Sequence, residues 1–205
     1  MALLAIAGAA CSSRSFDDEP LHGASCSTIA QAHPYEGNDH LAACSPVVYL
    51  SNPPSSGNHY GVWAAYRVYD QPVPRGFWVH NLEHGAVVIT YNCDDCAADV
   101  ELAKKFIDRL PIDGTCAGAG GDGPKRRIVL TPDPLLDARF AASAWRGYPH
   151  DDGGEGTGFT LKASCFDVDA FSAFVAAHYG QGPEDLCNDG ADPAQFAGKG
   201  PECPP

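Results

Sequence analysis

Two histidines and a glutamate stand together in His80-Asn81-Leu82-Glu83-His84. Imidazole and carboxylate groups bind divalent transition metals and exchange protons near neutral pH, so this cluster is where chemistry is expected. The letters fit H-x-x-E-H, which on a helix puts both rings on one face over one ion. In an extended strand the same two rings stand about 13 Å apart and cannot share a metal. Gly85 and a β-branched run follow at once, so the long helix of a zinc peptidase cannot continue here. A single helical turn ahead of a strand still brings His80 and His84 to one side. His59 can join them from a Pro/Gly turn, and His40, after Glu36-Gly37-Asn38-Asp39, supplies a fourth ring. Glu83 is expected to orient a ring or to act as general base, the catalytic role, rather than to be a ligand. The ion is expected to be copper or zinc. The lone Met1 leaves no thioether set for Cu(I), which points to Cu(II) or Zn(II).

The elements that must position these groups can be read from the periodicity. Val47 to Leu50 reads as a short strand ended by the turn Ser51 to Gly57, and Phe77 to His80 as another extended piece. Ala86-Val87-Val88-Ile89-Thr90-Tyr91 is a continuous apolar run of the kind buried on both faces of a sheet. Asp94 or Asp95 can cap a helix running to about Leu110, with Val100, Ala103, Phe106, Ile107 and Leu110 on one face and Pro111 as its stop. Arg127 to Leu130 returns as a strand, compatible with a parallel pair joined by a crossover. A last helix begins at the cap Asp167, shows Phe171, Phe174 and Val175 on one face, and ends at Gly180. Four further histidines are given bland roles: His22 and His33 solvated in the N-terminal region, His150 in an Asp/Gly-rich loop, and His178 favoured by charge at a helix C-terminus.

The 205 residues carry a net charge of −13, so no nucleic acid is expected as a partner, because phosphate binding needs a basic face. Nine cysteines are present. The opening MALLAIAGAAC reads as the tail of a secretory leader, with Cys11 as a lipid-bearing cysteine that attaches the chain to a membrane. Cys26, Cys44, Cys93, Cys96, Cys116, Cys165, Cys187 and Cys203 remain, an even set expected to form disulfides in an exported, extracytoplasmic chain. A bridge from Cys187 or Cys203 should pin the Gly/Pro-rich tail to itself or to the core.

Several segments resemble a known family. They are Asn52-Pro53-Pro54-Ser55-Ser56-Gly57-Asn58-His59-Tyr60, then Tyr69, then Val79-His80-Asn81-Leu82-Glu83-His84-Gly85 and the hydrophobic strand after it. Together they resemble the bacterial domain-of-unknown-function 3105 (DUF3105) family through its P-P-x-S-G-x-H and H-x-L-E-H-G motifs. Ile128 to Pro132, Ala144-Trp145, Phe174 and Pro183-Glu184 resemble its later blocks, so the likeness spans His40 to Glu184. The resemblance brings no reaction. It implies an exported or membrane-anchored domain with His59, His80, Glu83 and His84 at its functional core.

The expected protein is an α+β (or α/β) fold, a single compact domain with a small sheet, two main helices, disulfide staples and irregular tails. Its parts are a leader remnant over 1–11, a flexible tether over 12–33, the domain over 34–184 and a Cys/Pro/Gly-rich tail over 185–205. The expected function is metal binding by His40, His59, His80 and His84, with an enzymatic reaction left open. Two alternatives stand beside it. Cys93-Asp94-Asp95-Cys96 could exchange disulfides, although its two acids oppose a thiolate. Trp63, Tyr66, Tyr69, Phe77 and Trp78 could line the cleft of a non-catalytic surface module, or be core.

Overall fold

The β-branched run after Gly85 forms strand β4 (Val87–Tyr91) in a computed structural model that describes residues 25–116, 123–147 and 157–205. Val87 and Ile89 face one hydrophobic cluster and Val88 the other, so both faces of this strand are covered. The sheet around it also contains β1 (Thr28–Pro34), β5 (Ile128–Pro132), β6 (Phe140–Arg146) and β7 (Thr157–Ala163), in the order β1-β7-β6-β4-β5. β4 and β5 are parallel and joined by helix α2 (Ala97–Arg109), and the remaining pairs are antiparallel. The molecule is therefore α+β with a mixed sheet. Helices α2 and α3 (Val168–His178) supply Phe106, Phe171 and Phe174 to the cluster on one face. Helix α1 (Arg75–Glu83) supplies Phe77, Trp78, Val79 and Leu82 to the other, the face that carries the histidines.

Two short strands, β2 (His40–Leu41) and β3 (His59–Tyr60), pair in parallel beside α1. The Ser51–Asn58 turn ahead of β3 is tied down by Glu36, whose carboxylate accepts the amides of Leu50 (2.7 Å) and Ser51 (3.0 Å). Disulfides join Cys26 to Cys165, Cys44 to Cys203, Cys93 to Cys96 and Cys116 to Cys187. The even set of cysteines therefore forms the expected staples, and two of them fasten the C-terminal tail to the body. That tail also pairs with the 63–65 segment, where Ala65 N–H donates to Ala191 O and Ala191 N–H to Trp63 O. Its single 3-10 turn, Pro193–Phe196, lays Phe196 on Phe77.

Several local expectations give way to tertiary structure. No strand forms at Val47 to Leu50: Val48 and Leu50 are exposed, and the Leu50 amide is taken by Glu36 instead of a ladder partner. Phe77 to His80 is helical rather than extended, because Pro74 sets the start of α1 and its aromatic residues bury all round. Helix α2 starts after Cys96 without a side-chain cap, since the Cys93–Cys96 bridge holds its beginning and Asp95 is paired with Arg139 at 2.8 Å. Asp167 does cap α3, accepting the Ala170 amide.

The tether expected over 12–33 ends in β1, which pairs with β7 over seven positions and places His33 against Thr160 Oγ1 at 2.8 Å. His178 packs between Phe159, on which it stacks, and Phe174, and burial lowers its pKa, which favours the neutral ring over a charged helix-end residue. Cys11, His22 and His150 lie outside the described residues.

Candidate metal centre

The geometry of the site starts with β2 and β3. Their parallel register sets His40 directly beside His59, with ring centroids 4.8 Å apart. Helix α1 presents a third ring, His80, whose centroid is 4.8 Å from that of His40 and 4.7 Å from that of His59. Asn81 fastens α1 to the chain leaving β3: its side chain accepts from Ala64 N–H (3.1 Å) and donates to Ala64 O (2.8 Å). Gly85, at φ +78°, ends the helix in a left-handed turn that a β-carbon would strain, and it feeds the chain straight into β4. The short helix before the buried strand thus brings His80 and His84 to one side, as the H-x-x-E-H spacing requires.

Glu83 sits among the rings. Its Oε2 lies 3.1 Å from His59 Nε2, 3.4 Å from His40 Nε2 and 3.8 Å from His80 Nε2. A ligand-type atom from each of His40, His59, His80 and Glu83 lies within 4.8 Å of the other three, a grouping able to hold a metal ion. Three of the four are buried, while the His40 side chain is 53% exposed and opens the cluster to solvent.

The second nitrogen of two rings is already committed. His59 Nδ1 lies 2.8 Å from Gly57 O, and His80 Nδ1 lies 2.6 Å from Tyr60 O. A carbonyl only accepts, so each Nδ1 carries the proton and donates it, leaving Nε2 as the inward-facing atom. Burial is the main reason that the pKa values of His80 and His84 are pushed down to about 4, so both rings are neutral at pH 7.

His84 lies on the far side of His80, its Nε2 3.1 Å from His80 Nε2 and 3.4 Å from Glu184 Oε2. It belongs to a second grouping, with Glu83 and Glu184. Trp63 covers both rings, with centroids 5.2 Å from His80 and 4.6 Å from His84. Of the expected aromatic set, Phe77, Trp78 and Tyr69 are core residues and Tyr66 packs against the same core, whereas Trp63 lies on these rings. Glu184 carries no local motif, because the turn that delivers it is built by contacts with residues about a hundred positions earlier. Its place at the end of the last family-like block was the one sequence signal.

The fold and the site define a disulfide-stapled α+β domain with a cluster of three histidines and a carboxylate, buried except at His40. The chain belongs to the family described as protein of unknown function (DUF3105), matched over residues 40–190, a span that contains every residue of the cluster. No curated protein and no solved structure matches it. Four disulfides are consistent with an oxidising, extracytoplasmic compartment, and no described helix is long and apolar enough to cross a membrane.

Proposed function

We propose that the protein is an exported domain, anchored by a lipid on Cys11, that holds a copper(II) or zinc(II) ion between His40, His59 and His80, with Glu83 completing the set. One observation supports this above the rest: the His59 ring, already donating through Nδ1, turns its other nitrogen to a buried carboxylate oxygen at 3.1 Å. Two lone pairs at that distance repel, and a cation or an added proton between them removes the repulsion.

The donor set suits a divalent ion. Four-coordinate zinc with bonds near 2.0–2.1 Å has neighbouring ligand atoms about 3.3–3.4 Å apart. The Glu83-to-ring separations of 3.1, 3.4 and 3.8 Å bracket that value. On this reading Glu83 is a ligand, in place of the outlying base that the sequence suggested. A bound ion would supply Lewis acidity to a water or substrate oxygen. The chain's own part is to fix the rings through Gly57 O and Tyr60 O, to exclude water on the buried side, and to leave access at His40.

Full-length protein purified without a histidine tag and assayed by elemental analysis tests this. Stoichiometric copper or zinc is expected, with its loss in His59→Ala and His80→Ala proteins that retain their circular dichroism. Metal-free native protein that also fails to take up either ion on dialysis overturns the proposal.

A further inference from the structure

The residues around His84 form a second candidate position that shares only Glu83 with the three-histidine cluster. A carboxylate oxygen of Glu83, a ring nitrogen of His84 and a carboxylate oxygen of Glu184 lie within 4.8 Å of one another. His84 Nε2 is 3.4 Å from Glu184 Oε2, close to the separation of about 3.3 Å between neighbouring ligands of one small divalent ion. Glu83 and His84 are buried, whereas the Glu184 side chain is 43% exposed. Two carboxylates held this close repel unless a cation or a proton lies between them.

The 180–185 turn crosses the end of α1, where Gly180 N–H donates to Gly85 O and Glu184 N–H donates to Glu83 O, both at 2.8 Å. A β-carbon on Gly182 would come within 2.2 Å of the Gly85 amide nitrogen, so only glycine permits the approach. Buried Arg127 then clamps both sides of the position. Its Nη1 donates to His84 O at 3.0 Å and to Asp185 Oδ1 at 2.6 Å.

We infer that Glu83, His84 and Glu184 bind a second divalent transition-metal ion, with the Glu83 carboxylate shared between the two positions as a bridge. This rests on the metal reading of the His40, His59 and His80 cluster and extends it from one ion to two. Paired ions bridged in this way can clamp one substrate oxygen from two sides, the arrangement used for metal-assisted hydrolysis. The solvent openings at His40 and Glu184 give each position its own approach.

The test is metal titration of the full, metal-stripped chain, with zinc(II) followed by calorimetry and copper(II) followed by electron paramagnetic resonance. Two equivalents are expected for the native protein, and the copper signal should rise with the first equivalent and fall as the second couples to it. Glu184→Gln and His84→Gln, each checked for native circular dichroism, should bind one equivalent and keep a full uncoupled copper signal. One equivalent in the native protein, undiminished in both variants, overturns the second position and leaves the first standing. Two equivalents that persist in both variants place the second ion elsewhere and also overturn it. No bound ion overturns both positions together.

Discussion

Glu83 Oε2 faces His59 Nε2 at 3.1 Å inside the protein, and the opposite nitrogen of that ring is committed to the Gly57 carbonyl. The carboxylate charge is therefore what makes this cluster attractive to a cation, more than any single ring. Glu83→Gln keeps the shape, removes the charge, and lets an amide N–H donate to the His59 lone pair. The folded state should survive, with an unchanged circular dichroism spectrum. Loss of a group that only orients a metal ligand weakens binding about 10- to 100-fold, so loss of a ligand should cost at least that upper figure. Competition against a chelator of known affinity measures it, and wild-type affinity in Glu83→Gln would remove Glu83 from the ligand set.

His80 and His84 should make the metal-free protein labile to acid. Both have folded pKa values near 4, below the ordinary 6.5, with burial as the leading cause. Between pH 6.5 and about 4 the unfolded chain takes up protons at these rings and the folded chain does not, so stability falls as the pH is lowered through that window. Melting temperatures of metal-free protein across this range should fall steadily. The double variant His80→Gln, His84→Gln removes these two titrations and should show a shallower fall. Equal slopes for the two proteins would mean that the rings are not held neutral by burial.

The parts of the fold legible in the sequence are those fixed by local physics. The β-branched run at Val87 to Tyr91, the Asp167 cap and the apolar face of α2 each express one periodicity or one side-chain bond. His59, His80, Glu83 and His84 were legible because their types and spacing carry chemistry. What escaped was decided by distant contacts. Phe77-Trp78-Val79 has a strand-like composition and folds as a helix because it is buried on all sides by β3, the sheet and the tail. Phe140-Ala141-Ala142-Ser143 shows no clean alternation, yet it forms an inner strand because β4 and β7 flank it. Glu184 reaches His84 through the Gly85 and Gly182 contact, which no local pattern announces.

Asn81 spends its side chain on Ala64 and should still control the site. Its side chain satisfies both the N–H and the C=O of buried Ala64, the link between β3 and α1. Asn81→Ala strands two backbone groups, each worth about 1–3 kcal/mol when left unpaired and dry. Denaturant unfolding should therefore show a loss of roughly 2–6 kcal/mol. Asn81→Asp buries a carboxylate and turns one of its oxygens against the Ala64 carbonyl, so its loss near neutral pH should be at least as large as that of Asn81→Ala. A change below about half a kcal/mol in Asn81→Ala would show that β3 is positioned without this link.

The Cys116–Cys187 bridge separates the two metal positions experimentally. It lies two residues beyond Asp185, the partner of Arg127, and closes a stretch of 71 residues that includes the 180–185 turn. Replacing both cysteines by serine should lower stability by about 2–4 kcal/mol, because the unfolded chain regains the freedom that the bridge removes. Cys44–Cys203 still fastens the end of the tail, and His40, His59 and His80 stand on β2, β3 and α1, outside the released turn. Metal content at the three-histidine cluster should then be retained while binding that depends on Glu184 weakens. Quantified by titration on the double-serine protein, loss of both ions at once would show that the tail supports the whole centre, whereas unchanged binding with unchanged stability would leave the bridge without a structural role.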